Sequence, residues 1–311
     1  MQVSTAVNQA VVFTKPVHHL GISLTPEELD ERARSFLEAK GLTIVFSRKI
    51  TGSELARRNV IKQHYLMYSK AACAEAVEIT ESGMAKFEAA FGRKWRAEVD
   101  AGRILPTSRL LESRRIDVHQ LFDLWNDQYM VRGTQKIQTG LVMAWLEELD
   151  AYCINAFYPA MEANFCNPET RISYYVVEFD PEQVSWLEFR KRVLGLTDAS
   201  EACPESFRGQ LYAQYPLDFP GRDNFVHGSA GPLEGLVERS IHEADFDMAG
   251  NPIGNYLLGR GVTLDRFRDW KSKQSISVLG ELFDATEEKN TDEVFQTLEL
   301  FLPTIGKPTL R

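Results

Sequence analysis

One histidine in this chain stands where an imidazole could take a phosphoryl group and give it back. His227 follows the apolar pair Phe225-Val226 and precedes Gly228-Ser229, just ahead of a helix-like segment from Pro232 to Glu243. The lone pair of a neutral imidazole can attack a terminal phosphoryl group, hold it and pass it on. Such a transfer needs little covalent work beyond in-line placement and neutralisation of charge on the phosphate oxygens. Lys15 and Arg208 are cations of the right kind, lysine as a point charge and arginine as a planar fork, and Thr197 can donate a hydroxyl to a phosphate oxygen. Taken singly, each has a plainer explanation. A lone histidine in a loop is more often a neutral structural residue, a strand-end lysine a surface charge, and a helical glutamate a solvated one.

Their joint order along the chain says more. Asn224-Phe225-Val226-His227-Gly228-Ser229 is followed by Glu238, eleven residues past the histidine. Upstream lie Pro204-Glu205-Ser206-Phe207-Arg208-Gly209 and Leu194-Gly195-Leu196-Thr197; further upstream, the apolar run Val11 to Phe13 leads into Lys15-Pro16, and His64-Tyr65 sits on an early helical stretch. In this order the segments resemble the nucleoside diphosphate kinase family. The resemblance covers two blocks, roughly residues 9–73 and 172–243.

The resemblance implies an α+β ferredoxin-like βαββαβ sandwich with a helical insertion and a helical C-terminal extension. The family domain would be discontinuous, 1–74 with 171–245, around an insertion at 75–170 and before an extension at 246–311. It implies ping-pong transfer of a γ-phosphate from a nucleoside triphosphate to a nucleotide acceptor through phospho-His227, with Mg²⁺ bridging the phosphates rather than held in a protein cage. Lys15, Thr197 and Arg208 would then sit at the phosphates, with Lys191 where the family usually has an arginine. Tyr65 would orient the γ-phosphate, and Asn224 would bind the sugar and the transferring phosphate. Glu238 would fix the tautomer of His227, and Ser229 would support Glu238. Two positions depart from the family. Val17 replaces the aspartate of Lys-Pro-Asp, and no aromatic stands near Cys73, where the family stacks one on the base. Such stacking contributes about 1–3 kcal/mol, so two further readings stay open: a nucleotide-binding regulatory module using the same pocket, and a phosphotransferase for a modified nucleotide.

Elements able to position these residues are legible in the pattern. Gln9 to Thr14 reads as a buried strand. Thr25-Pro26-Glu27-Glu28 reads as a helix start, running to Lys40 and stopped by Gly41. Leu42 to Lys49 alternates as a strand, and a helix starts at Thr51-Gly52-Ser53-Glu54 and runs near Tyr68. The insertion reads as mostly helical: Ser82 to Ala101, Asp117 to Tyr129, and a long apolar-faced stretch from Thr139 to Met161. Its basic residues, among them Arg93, Lys94, Arg96, Arg103 and Arg109, form a solvated face or a lid that binds phosphate or a protein partner. Arg171 to Phe179 is rich in aromatic and β-branched residues and reads as a strand. Pro181 to Val193 reads as a helix, Gln210 to Phe219 as irregular with a short strand, and Asn224 to Val226 as a short strand. In the tail, Thr263 to Lys273, Ser277 to Phe283 and Thr291 to Phe301 read as helices, with a loose end from Pro303 through Gly306 and Pro308.

Composition bounds the function classes. The 311 residues are 44% hydrophobic and 25% charged, ordinary for a globular chain with a large core. A net charge of −9 argues against a general nucleic-acid binder while allowing a local basic pocket. Cys73, Cys153, Cys166 and Cys203 show no Cys-x-x-Cys spacing, which points away from zinc. The polar stretch Met1 to Ala10 and the lack of a long apolar run point to a cytoplasmic protein with free thiols and no membrane span. Homo-oligomerisation stays open.

Overall fold

The computed structural model describes residues 6–73, 78–138, 140–272 and 278–305. The polar start at 1–5, Thr139 and Ser277 as helix starts, Lys273 as a helix end, and the chain end from Gly306 fall outside them. The chain divides into two compact units, 1–52 with 168–311, and 53–167. Residues 53–73, read above with the first block, lie in the second unit, and the C-terminal extension lies in the first.

The first unit is built on a four-stranded sheet. Its elements in chain order are β1 (Asn8–Thr14), α1 (Pro26–Ala39), β2 (Thr43–Thr51), β3 (Arg171–Phe179), α2 (Trp186–Glu188), α3 (Phe207–Gln214), β4 (Val226–Gly228) and α4 (Pro232–His242). They are followed by α5 (Pro252–Gly259), α6 (Leu264–Ser272), α7 (Val278–Thr286) and α8 (Thr291–Ile305). The strands run in the order β2-β3-β1-β4, each neighbour antiparallel. β1 is buried along its whole length, as its unbroken apolar run requires of a strand covered on both faces.

α1 begins as its sequence dictates. Thr25 Oγ1 accepts from Glu28 N, the Glu28 carboxylate reaches back to Thr25 N at 2.9 Å, and Pro26 occupies the first turn. Its buried stripe, Leu29, Ala33 and Leu37, shares one core with Ala10, Val12, Tyr175, Val177, Phe189 and Phe207. Each fully buried leucine there contributes roughly 1.5–3 kcal/mol. α4 lies against the other face of β1, where His242 packs its ring on Phe13 and Tyr174 at 5.1 and 5.2 Å.

Two expectations for this unit are corrected. Of the stretch Gln210 to Phe219, expected irregular with a short strand, the first half to Gln214 belongs to helix α3, which Ser206 caps by accepting from Gly209 N, and the rest is irregular without a strand. Gly209 argues against a helix by propensity, but a Cβ there would lie 2.1 Å from Cys203 O, so the close approach demands glycine. The helix expected from Pro181 to Val193 is one α-turn, α2, capped by Ser185, that widens into a π-helical stretch over Phe189–Leu194. Helix α5, capped by Asn251 with Pro252 in its first turn, has no counterpart in the sequence reading. The extension is tied down by Asn8, whose Oδ1 accepts from Thr291 N at 2.9 Å, and by Asn290, whose Oδ1 accepts from Trp186 N at 2.8 Å.

The second unit is mostly helical, as expected, but it also contains strands. Besides helices at Gly52–Arg57, Val60–His64, Leu66–Cys73, Glu81–Phe91, Trp95–Asp100, Thr107–Arg114, Val118–Arg132 and Phe157–Cys166, it holds a three-stranded antiparallel sheet. Its strands are Gln135–Gln138, Leu141–Leu146 and Ala151–Ile154. The long helix expected from Thr139 is therefore corrected to two strands, a left-handed turn at Asp150 and one helix. A short apolar run such as Leu141 to Leu146 satisfies either period, and the turn decides it. All four cysteines are free, and among the described residues no helix is long and apolar enough to cross a membrane.

Candidate active site

The sheet register delivers His227. On β4, His227 pairs with Phe13 of β1, and cross-strand partners share a face. Their rings stack at 4.5 Å and 18°. Just before β4 the chain makes two tight turns, with Phe225 N donating to Asp223 O and Val226 N to Asn224 O, both at 2.7 Å. Phe225 sits at the centre of the second with φ +64° while fully buried. A left-handed conformation at a bulky residue costs on the order of 1–3 kcal/mol and persists only where packing enforces it. Here burial of the Phe225 ring in the α1 core holds it.

Glu238, on α4, reaches His227 from the neighbouring helix. His227 Nε2 lies 2.7 Å from Glu238 Oε1, and Ser229 Oγ donates to Glu238 Oε2 at 2.6 Å. Ser229 is itself fixed to β1, its Oγ accepting from Val11 N at 2.9 Å and its N–H donating to Val11 O at 3.0 Å. With Nε2–H given to a carboxylate, the imidazole lone pair lies on Nδ1. Burial, followed by the charges of Lys15, Arg208 and Arg190, holds the imidazole well below its usual range, so His227 is neutral at neutral pH. Glu234, one turn earlier on α4, is pushed up to about 8 by burial and then by the charge of Glu238. Glu234 is thus the protonated acid, and Glu238 carries the charge opposite the ring.

Three cations act on this histidine. Lys15, just past the end of β1, donates from Nζ to Arg222 O at 2.8 Å. Burial, then Arg208, lowers its ammonium to about 7, with Asp223 opposing and Arg222 assisting. Arg208 is held as a rigid fork, Nη1 on Gly195 O at 2.6 Å and Nη2 on Val226 O at 2.7 Å. The third is Arg190, on the π-helical stretch, paired with Glu287 and Glu288. Neither Arg190 nor Glu234 is singled out by the sequence pattern. Beside the cations, Asn224 donates from Nδ2 to Thr197 O at 2.5 Å and to Gly221 O at 3.3 Å. Its Oδ1 is buried without a hydrogen-bond partner among the described residues. A buried acceptor left open in this way is uncommon and marks a place where a donor is due.

No protein-family model and no curated protein matches the chain. Among solved structures it is similar to an NDP kinase from Pyrobaculum aerophilum, with 15% identity and a TM-score of 0.38 over 77% of this chain and 97% of that one. It is also similar to a nucleoside-diphosphate kinase from Borrelia burgdorferi, solved with bound vanadate and ADP as a transition-state mimic. There the identity is 13% and the TM-score 0.32 over 77% of this chain and 88% of that one. Likeness at these values carries no functional argument; the side-chain geometry has to carry it.

Thr197 is exposed and reaches the site through its carbonyl. Lys191 points its Nζ at Glu288 Oε2, 3.4 Å away. Tyr65 belongs to the second unit, where it ends the helix Val60–His64 and packs its ring on His64 at 4.6 Å. Val17 is buried in the α1 core, which suits an apolar side chain at that position. The acid beside the Lys15 segment is Asp223, paired with Arg222 at 2.5 Å and with His19 at 3.4 Å.

Proposed function

We propose that this chain is a histidine phosphotransferase of the nucleoside diphosphate kinase type, its first unit a ferredoxin-like βαββαβ sandwich. The strand order β2-β3-β1-β4 with antiparallel neighbours supports that frame. The observation that carries the activity is the Ser229–Glu238–His227 chain, which leaves a neutral imidazole with its lone pair on Nδ1 among three cations.

In the first half-reaction Nδ1 of His227 attacks the γ-phosphorus of a nucleoside triphosphate. An N–P bond forms, the bond to the bridging oxygen breaks, and the nucleoside diphosphate leaves with that electron pair. The positive charge that develops on the ring is met by Glu238 through Nε2–H. A terminal phosphate oxygen of a second nucleotide then attacks the phosphorus and returns the lone pair to Nδ1. Lys15, Arg208 and Arg190 neutralise phosphate oxygens, and the Thr197 hydroxyl would donate to one. A ribose hydroxyl would satisfy the open Oδ1 of Asn224. Mg²⁺ would enter with the nucleotide substrate, bound to its phosphates.

The test is incubation with γ-labelled ATP and Mg²⁺ followed by a denaturing gel. An acid-labile, alkali-stable label on the full chain is the expected result. Nucleotide binding without any label would replace this reading with that of a nucleotide-binding module.

A pH effect follows from Lys15. With its ammonium near 7, Lys15 is mostly neutral at pH 8 and mostly charged at pH 6. A bound polyphosphate favours the charged form, so binding of ATP at pH 8 takes up most of one proton and binding at pH 6 takes up little. Calorimetry in two buffers of different ionisation enthalpy measures this directly. Lys15→Gln removes the uptake; an enthalpy independent of buffer at pH 8 in the unsubstituted chain would contradict it.

A further inference from the structure

The second unit contains a cavity of about 610 Å³ that none of the phosphotransfer chemistry uses. Its size lies in the range of small-ligand sites, roughly 300–1,000 Å³. One wall is aromatic. Tyr152 stands between Phe91 and Trp145, with ring centroids at 5.0 and 4.7 Å. Another part of the lining carries the guanidinium groups of Arg93 and Arg103 with the Glu98 carboxylate between them in sequence.

The two arginines differ in a useful way. Arg103 is fixed: its Nε donates to Glu98 Oε2 at 2.5 Å, its N–H to Glu98 O at 2.9 Å, and its carbonyl accepts from Tyr152 N at 2.7 Å. Glu98 is buried, only 4% exposed, so this carboxylate is a built anchor and not a surface partner. Among the described residues the terminal amino groups of Arg103 make no hydrogen bond to protein, so half of a preset fork remains to be used. Arg93 is exposed and makes neither a hydrogen bond nor an ion pair among the described residues. A buried carboxylate that immobilises one arginine beside a second with no ion pair is an arrangement that recognises a planar anion. The aromatic wall next to it takes a flat apolar body.

We propose that this cavity binds a small aromatic anion, a ring bearing a carboxylate or a phosphate, with the ring against Trp145 and Tyr152 and the anionic group on Arg93 and Arg103. Glu98 and Asp150, also on the lining, offset the charge of the two arginines and disfavour ligands of high negative charge. The inference is independent of the phosphotransferase reading, because every residue in it belongs to the second unit.

Calorimetry on the full chain with phenyl phosphate, benzoate, benzyl alcohol and phenethylamine tests it. At least one of the two anions binds with a Kd of about 1 mM or tighter, the range open to ligands of this size, and the tighter of the two identifies the anionic group. Arg93→Gln weakens that binding at least tenfold without shifting the melting temperature, since the side chain is exposed and holds no ion pair. Trp145→Phe removes the accompanying fluorescence change while calorimetric binding persists. Failure of both anions to bind up to about 10 mM would overturn the proposal. So would equal binding of benzyl alcohol, tighter binding of phenethylamine, or an Arg93→Gln variant that binds the anion unchanged.

Discussion

His227→Gln is expected to lose the phosphoenzyme altogether and to lower phosphotransfer by roughly 10⁵- to 10⁶-fold, the scale seen when a covalent nucleophile is removed. Glutamine is the informative replacement. Its amide can still donate to Glu238 Oε1, which lies 2.7 Å from the imidazole, so the buried carboxylate keeps a partner. Alanine would leave that carboxylate short of one hydrogen bond, at a cost of about 1–3 kcal/mol, and would confuse lost chemistry with lost stability. Glutamine has no nitrogen lone pair able to attack phosphorus. A melting temperature close to that of the unsubstituted chain, together with absent label and retained ATP binding, is the expected combination. Persistence of acid-labile label on His227→Gln would place the phosphate elsewhere, with His18, His19, His64, His119 and His242 as the histidines to examine.

How much of the fold is legible in the sequence depends on how local each signal is. The start of α1 lies within four consecutive residues, Thr25 to Glu28, and the structure has that capping box. β1 and β3 are dense runs of buried side chains and are legible almost to the residue. The strands of the second unit are not, because Leu141 to Leu146 carries an apolar run that fits a helix face equally well and Asp150 gives no strong turn signature by type alone. α3 is hidden by Gly209, whose low propensity is overridden by its contact with Cys203 O.

At the site, spacing makes Glu238 visible as a candidate, since a helix beginning at Pro232 brings its second turn back to β4. The cation on the segment after β3 is less legible. Lys191 is expected there only because the family resemblance puts a cation at that position, and nothing in the residue types foretells the π-helical stretch over Phe189–Leu194. From this stretch it is Arg190 whose charge acts on the ring, after those of Lys15 and Arg208, while Lys191 lies near Glu288. The left-handed Phe225 is equally silent: nothing in its type announces a positive φ, which follows only from the tertiary packing that traps its ring.

Glu238→Gln isolates the other half of the site and is expected to slow phosphorylation of His227 by about 10²- to 10⁴-fold with little loss of stability. The carboxylate accepts two hydrogen bonds, from His227 on Oε1 and from Ser229 on Oε2. A glutamine of the same shape has one oxygen and one NH₂. If the NH₂ faces the ring it donates to Nε2, which places the proton on Nδ1 and removes the lone pair needed for attack. If the oxygen faces the ring, Nε2–H is still bound, and the NH₂ is received by Ser229 Oγ, which has Val11 O at 3.3 Å as an alternative acceptor. That arrangement keeps the tautomer but has no negative charge to stabilise the ring as it becomes positive. Either way the transition state loses more than the ground state, so the rate of label appearance in a single turnover falls while the affinity for ATP changes little. Glu234 supplies a second readout. Its carboxyl is raised to about 8 by burial and then by the charge of Glu238, so neutralising Glu238 moves its titration to lower pH, observable by carboxyl-specific infrared difference spectra. A single-turnover rate within about threefold of the unsubstituted chain would show that Glu238 only packs against the histidine and does not set its chemistry.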